Sequence, residues 1–164
     1  EIPNQVRYFR DSEADGSIFF SSRSLRGNSL GFVDSLRRDL FKYPALVPTM
    51  PWKDKIPPLS PKSLKATLLS RGIELTWDRP DEASDGDKAW YYVIYRFPPD
   101  EKATAHDPRR ILGMCHEGEK FIDMTAELGK RYVYYVTAVD RLHNEGRPIG
   151  PLRVEVHDQK LVRF

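Results

Sequence analysis

The chain has 164 residues, of which 40% are hydrophobic, 12% aromatic and 30% charged; this excludes a disordered tail and supplies one ordinary domain, or one domain plus a fragment of another. Its 26 basic and 24 acidic side chains are interspersed and sum to +2, so no long-range field favours nucleic acid as a partner. The single cysteine, Cys115, excludes an internal disulfide and cannot build a thiolate metal site alone, and no apolar window reaches the roughly 18 residues needed to cross a bilayer.

Taken in order, residues 1–45 read as helix, strand, helix. The chain starts at Glu1 without Met or a signal-like region, which predicts a piece of a longer gene product. Pro3 suits the first turn of a helix whose apolar face is Ile2, Val6 and Phe9. Asp15-Gly16 then turns the chain into a strand, Ser17 to Phe20. Its continuous apolar run, Ile18-Phe19-Phe20, suits a strand covered on both faces, and such a strand needs neighbours. Asn28 or Ser29 caps a second helix with the buried stripe Phe32, Val33, Leu36 and Leu40, ended by Tyr43-Pro44. Helix, strand, helix is a repeating unit of an α/β fold rather than a domain in itself.

Residues 46–61 form a proline-rich strap containing Pro48, Pro51, Pro57, Pro58 and Pro61, a stretch that neither continues a helix nor fills a central strand. Leu46, Val47, Met50 and Trp52 argue that it is docked, since a free linker gains nothing from such residues.

From residue 62 to 164 the pattern changes to short strands between turn signals, which predicts a mainly β fold, a seven-stranded sandwich. The strands are Leu64 to Leu69, Ile73 to Trp77, Ala89 to Phe97, Arg110 to Cys115, Lys120 to Ile122, "RYVYYVTAVD" and "PLRVEVHD". In the sixth, Tyr132, Tyr134, Val136 and Ala138 are placed inward, and Val133, Tyr135, Thr137 and Val139 outward. Trp77 and Tyr134 are expected on facing sheets.

Trp77, Tyr92, Tyr95 and the segment "DMTAELGKRYVYYVTAVDRLHNEG" from Asp123 to Gly146 resemble a fibronectin type III domain. The resemblance puts Leu128 and Tyr134 in the places of that family's leucine and corner tyrosine, with the Tyr134 hydroxyl bonded to backbone near Leu128. Such a sandwich hosts many functions and implies a fold rather than an activity. A second resemblance joins "GSIFFSSRSL" and "GFVDSLRRDLFKYPALVPTMPW", followed by a sandwich, to the carboxy-terminal end of the bacterial glycosyl hydrolase-like 10 proteins. Those are (β/α)8 barrels. The resemblance implies that Ile18 to Phe20 is the last barrel strand, that Phe32 to Phe41 is the closing helix, and that the other strands lie in an upstream barrel domain of the same protein. It also implies an exported bacterial protein, periplasmic or attached to the outer membrane or cell surface, a lipoprotein among the forms this takes.

Glycoside hydrolysis needs two carboxyl groups on rigid elements flanking one bond. The acidic residues here gather instead in the turn "DRPDEASDGDK", at Asp78, Asp81, Glu82, Asp85 and Asp87, without the ligand spacing of a calcium loop. His106, His116, His143 and His157 show no metal-site spacing; no metal and no cofactor is expected. Ser21, Ser22 and Ser24 form no nucleophile elbow. Barrel sites lie at the carboxy-terminal ends of strands, so Ser21, Ser22 and Arg23 become candidate lining for a sugar subsite of the parent barrel. Arg23, Arg26, Arg37 and Arg38 read as a solvated helix face. Trp90, Tyr91 and Tyr135 are candidates for stacking on sugar rings if they share an exposed face. The reading is a non-catalytic accessory or structural module of a glycoside hydrolase-like protein. Its rival is a carbohydrate-binding or adhesive surface module. The partners expected are the upstream barrel, a polysaccharide, or a second copy joined through residues 1–45.

Overall fold

In a computed structural model the chain divides into two compact units, Glu1–Pro48 and Thr49–Phe164. The structure describes residues 2–12, 14, 16–102, 106–157 and 160–163, with Ile2 and Ser24 described by backbone alone. Asp15 of the expected first turn, the side chains of Ile2 and Ser24, and Asp158 of the expected last strand lie outside the described residues.

The first unit is helical. Helix α1 (Ile2–Asp11) turns Val6 inward while Phe9 stays half exposed. Val6, Leu36 and Leu40 form a small buried cluster, against which Phe19, Leu25 and Phe32 pack. The expected strand at Ser17 to Phe20 is not formed. A lone extended segment has no ladder to satisfy its N–H and C=O groups, and here only the middle residue of the run finds a pocket: Phe19 sits edge-on to Phe32 at 5.9 Å, while Ile18 and Phe20 are fully exposed. A short helix not foreseen, α2 (Ser22–Arg26), follows. The expected second helix is broken into a 3-10 turn (Ser29–Gly31), helix α3 (Phe32–Ser35) and a π-type turn (Leu36–Leu40). The residue before α3 is Gly31, neither Asn28 nor Ser29, but Asn28 reaches over it, its Oδ1 accepting the Val33 N–H at 2.8 Å.

Among the described residues the second unit is a two-sheet antiparallel sandwich of eight strands. β1 (Lys62–Leu69), β2 (Gly72–Asp78) and β5 (Lys120–Asp123) form a sheet in the order β1-β2-β5. β3 (Tyr91–Phe97), β4 (Ile111–Cys115), β6 (Arg131–Val139), β7 (Ile149–His157) and β8 (Lys160–Arg163) form the other in the order β4-β3-β6-β7-β8. The strand beyond the seven expected is β8, which pairs antiparallel with β7 from Val154↔Arg163 to His157↔Lys160. It is only four residues long, below the length at which alternation is legible. Gly72 opens β2 at φ +139, where a Cβ would meet the Asp123 carbonyl oxygen at 2.2 Å, so a residue without a side chain lets β2 and β5 close up.

Alternation fills the space between the sheets with Ile73, Leu75 and Trp77 from one side and Tyr92, Ile94, Tyr134, Val136, Ala138, Leu152, Val154 and Val156 from the other. Trp77 and Tyr92 meet edge to face at 5.1 Å, and Tyr134 is fully buried. The opposite face of the larger sheet is covered too, since Tyr91, Val93, Tyr95, Phe97, Val133, Thr137 and Val139 are all buried. Part of that unit's strap packs locally: the Asn144 side-chain N–H donates to Asp54 at 2.9 Å, and a Cβ on Gly146 would strike the Pro58 carbonyl oxygen at 2.3 Å.

One expected contact moves by a turn of the strand. The Tyr134 hydroxyl donates to the buried Asp123 carboxylate at 2.7 Å, not to backbone near Leu128, which is exposed. The tyrosine that reaches back to backbone is Tyr132, whose hydroxyl accepts the Glu127 N–H at 3.0 Å. Tyr132 and Tyr134 point to the same side of β6, so spacing alone could not separate them. What decides is that the corner tyrosine lies near the start of its strand.

Candidate functional site

In the first unit Ser21 is half-buried, whereas Ser22 and Arg23 are exposed at the start of α2. Ser21 occupies the position before the helix without a side-chain capping bond. These three remain together because they are consecutive, yet no histidine or carboxylate among the described residues bonds to their side chains. They can offer hydroxyls and one guanidinium to a ligand and have no base to make a nucleophile.

The three aromatics proposed for sugar stacking are not brought into one row. Trp90, just before β3, is 67% exposed. Tyr91 is buried, its ring stacked on His116 at 4.9 Å. Tyr135 is half-buried, edge-on to Phe97 at 5.6 Å. The loops that cover the outer face of the larger sheet have taken the area that an exposed ladder would have offered. Trp52 is the other widely exposed tryptophan, at 76%.

Three polar clusters assembled by the fold escaped sequence reasoning. In the first, the Glu145 carboxylate, 7% exposed, accepts from the Tyr95 hydroxyl at 2.7 Å and the Thr137 hydroxyl at 2.6 Å and pairs with His106 Nδ1 at 2.6 Å. Burial, then the bond and charge of Glu145, push the Tyr95 hydroxyl far above its ordinary range. Thr137 is fully buried, closed to a substrate, so the arrangement ties the 140–148 turn to β3 and β6 rather than preparing a nucleophile.

The second cluster is Asp123. Burial alone would raise its carboxyl, but donors from Thr125, Tyr134 and Arg96 outweigh that and hold it below the usual range. The third brings carboxylate oxygens of Asp54, Asp85 and Asp87 within 4.8 Å of one another. Oxygens there are already engaged: Arg141 pairs with Asp87 at 3.2 Å, and Asn144 donates to Asp54. A hard cation takes carboxylate oxygens of this kind, but here Arg141 and Asn144 already engage two of the three residues and tie the loops together. Asp85 and Asp87 stand in the expected acidic turn; Asp54, far earlier in the strap, could not be assigned to it from sequence.

Residues 63–157 match the family described as fibronectin type III domain, SaeA third domain. The chain is 43% identical over 149 residues to the protein named glycosyl hydrolase YngK of Bacillus subtilis (strain 168), covering 90% of this chain and 28% of that relative. The match therefore reaches well into residues 1–48, and the chain spans little more than a quarter of the relative's length, in its carboxy-terminal portion. Among solved structures, the twitchin kinase region from C. elegans is 17% identical with TM-score 0.49, over 62% of this chain and 17% of that one. A human FNIII domain in solution is 17% identical with TM-score 0.48, over 62% and 82%.

Proposed function

Since the chain belongs, through residues 63–157, to the fibronectin type III family of the SaeA third-domain type, we propose that it is the non-catalytic carboxy-terminal module of an exported bacterial glycosyl hydrolase-like protein. The observation that carries this reading is the 43% identity that runs through both units and not the sandwich alone. The first unit supports it physically: Ile18, Phe20 and Leu30 are fully exposed, an arrangement that water disfavours and that an adjoining domain relieves. In this reading Ile18 to Phe20 completes the upstream barrel as its last strand, Ser21, Ser22 and Arg23 stand at that barrel's carboxy-terminal rim, and the sandwich braces it. Catalytic carboxylates then belong to the upstream domain.

The test is a pair of measurements on one double variant. Ile18→Asp with Phe20→Asp lowers the melting temperature of the longer protein and leaves the sandwich transition of the 164-residue chain in place. An unchanged melting temperature in the longer protein refutes the barrel assignment. On aryl glycosides the chain by itself shows no turnover, and turnover abolished by changing one of its own residues removes the word non-catalytic. Exposed Trp90 favours a second reading, direct glycan binding by an adhesive module, and Trp90→Ala then weakens glycan retention.

A further inference from the structure

One end of the larger sheet holds a cleft of about 290 Å3 built where β3 ends and β4 and β6 begin. Arg96, Arg109, Arg110, Lys130 and Arg131 all line it. No acidic residue, asparagine or glutamine is among the described lining residues. Ordinary solvated surfaces interleave the two signs, and this chain does so elsewhere, with a net charge of only +2.

Four of these five cations pair with carboxylates that are not among the lining residues. Arg96 Nη1 donates to the buried Asp123 at 2.7 Å, Arg109 Nη2 to the buried Asp107 at 2.7 Å, Arg110 Nε to the half-buried Glu101 at 2.8 Å, and Arg131 Nε to the half-buried Glu155 at 2.7 Å. Guanidinium groups held in this way lose little rotamer freedom when a ligand arrives. Lys130 adds an ammonium on the exposed segment before β6. Half-buried Pro99, Ile111 and Leu112 give the cleft apolar surface; Phe97 is buried, and the Arg96 guanidinium lies over the Tyr132 ring at 4.8 Å.

We propose that this cleft binds an anionic glycan, its carboxylate or phosphate held by the arginines and Lys130 and the C–H face of its sugar ring resting on that apolar surface. The choice of a glycan rests on the module reading above; the choice of an anion rests on the cleft. A neutral sugar is ordinarily held by carboxylate and side-chain amide acceptors, and none is among the described lining side chains, whereas an anion takes guanidinium and ammonium donors directly. Single-stranded nucleic acid needs a row of open aromatic faces, whereas of the two rings in the described lining Phe97 is buried and Tyr132 is capped by Arg96.

The experiment is affinity electrophoresis and calorimetry of the 164-residue chain at low ionic strength with four polymers: polygalacturonate, phosphomannan, dextran and single-stranded DNA. Polygalacturonate, phosphomannan or both are bound, and which one tells carboxylate from phosphate. Dextran is not bound, and DNA is bound more weakly. Lys130→Glu lowers the affinity for the bound glycan about tenfold or more, because it reverses a charge inside the cleft. Lys65→Glu on β1, in the other sheet, changes it less than about twofold. Binding of neither anionic glycan, equal binding of dextran or DNA, or equal loss in the two variants overturns the proposal. Such a failure leaves the melting test of the Ile18 and Phe20 variant untouched, so the two readings fall separately.

Discussion

Two apolar runs in this chain, one continuous and one broken only by Arg96, meet opposite fates. In the second unit, Tyr91 to Phe97 becomes a central strand, hydrogen-bonded on one side to β4 and on the other to β6, and six of its seven residues are buried. In the first, Ile18 to Phe20 forms no strand, and two of its three residues are bare. Composition does not separate the two. What differs is whether partners for both the ladder and the faces exist within the chain. Twelve residues of the sandwich form one buried cluster among the described residues; in Glu1–Pro48 that number is three. A unit of 48 residues with so small a core sits below the size at which domains ordinarily hold themselves.

The sharpest test of this contrast is a pair of core truncations. Trp77→Ala removes a ring that packs against Tyr92 between the sheets and costs about 3 to 5 kcal/mol, read as a lower midpoint in urea. Leu36→Ala in the first unit abolishes helical signal near residues 32–40 and leaves the sandwich midpoint where it was. If both variants shift one common transition by similar amounts, the two units are a single cooperative body and the comparison drawn here fails.

Seven of the eight strands were legible because each either alternates or carries a dense aromatic run between turn residues. The inward set on β6 and the facing of Trp77 and Tyr134 follow from spacing of the same kind. Three things were not legible. The fate of Ile18 to Phe20 depends on neighbours that spacing cannot supply. Tyr91 and Tyr135 alternate outward correctly, but outward means exposed only if no loop lies over the sheet. The cleft cations stand at 96, 109, 110, 130 and 131, far apart in the chain, so that a charge pattern read along the sequence sees them as interspersed.

Asp123 sharpens the comparison from the polar side, since no carboxylate in the first unit is held by so many donors among the described residues. Asp123→Ala leaves Arg96 and the Tyr134 hydroxyl without their acceptor and costs about 2 to 3 kcal/mol, less than a fully buried pair because Arg96 keeps some water. The carboxyl is held below its ordinary value in the folded chain. Its contribution is therefore complete above the unfolded value of about 3.9 and disappears as pH falls through the lower folded value. Asp123→Asn flattens that acid limb of the stability curve. An acid limb as steep in the variant as in the wild type would mean that other carboxylates carry it.

The smallest effects come from the two tyrosines of β6, and they are the most discriminating. Tyr134→Phe removes a donor from a fully buried carboxylate. Asp123 retains Arg96 and Thr125, so the loss is about 1 to 2 kcal/mol. Tyr132→Phe removes an acceptor from the Glu127 N–H, which lies at the exposed turn before β6 and can turn to water instead. The loss there is about 0.5 to 1 kcal/mol. Tyr134→Phe also weakens the acid limb, because its hydroxyl helps to hold the Asp123 carboxyl down, whereas Tyr132→Phe leaves the shape of the pH curve unchanged. Urea midpoints of both variants between pH 3 and pH 7 read the order and the curvature together. The reverse order, with Tyr132 the costlier loss, would mean that the backbone corner and not the buried carboxylate anchors the start of this strand.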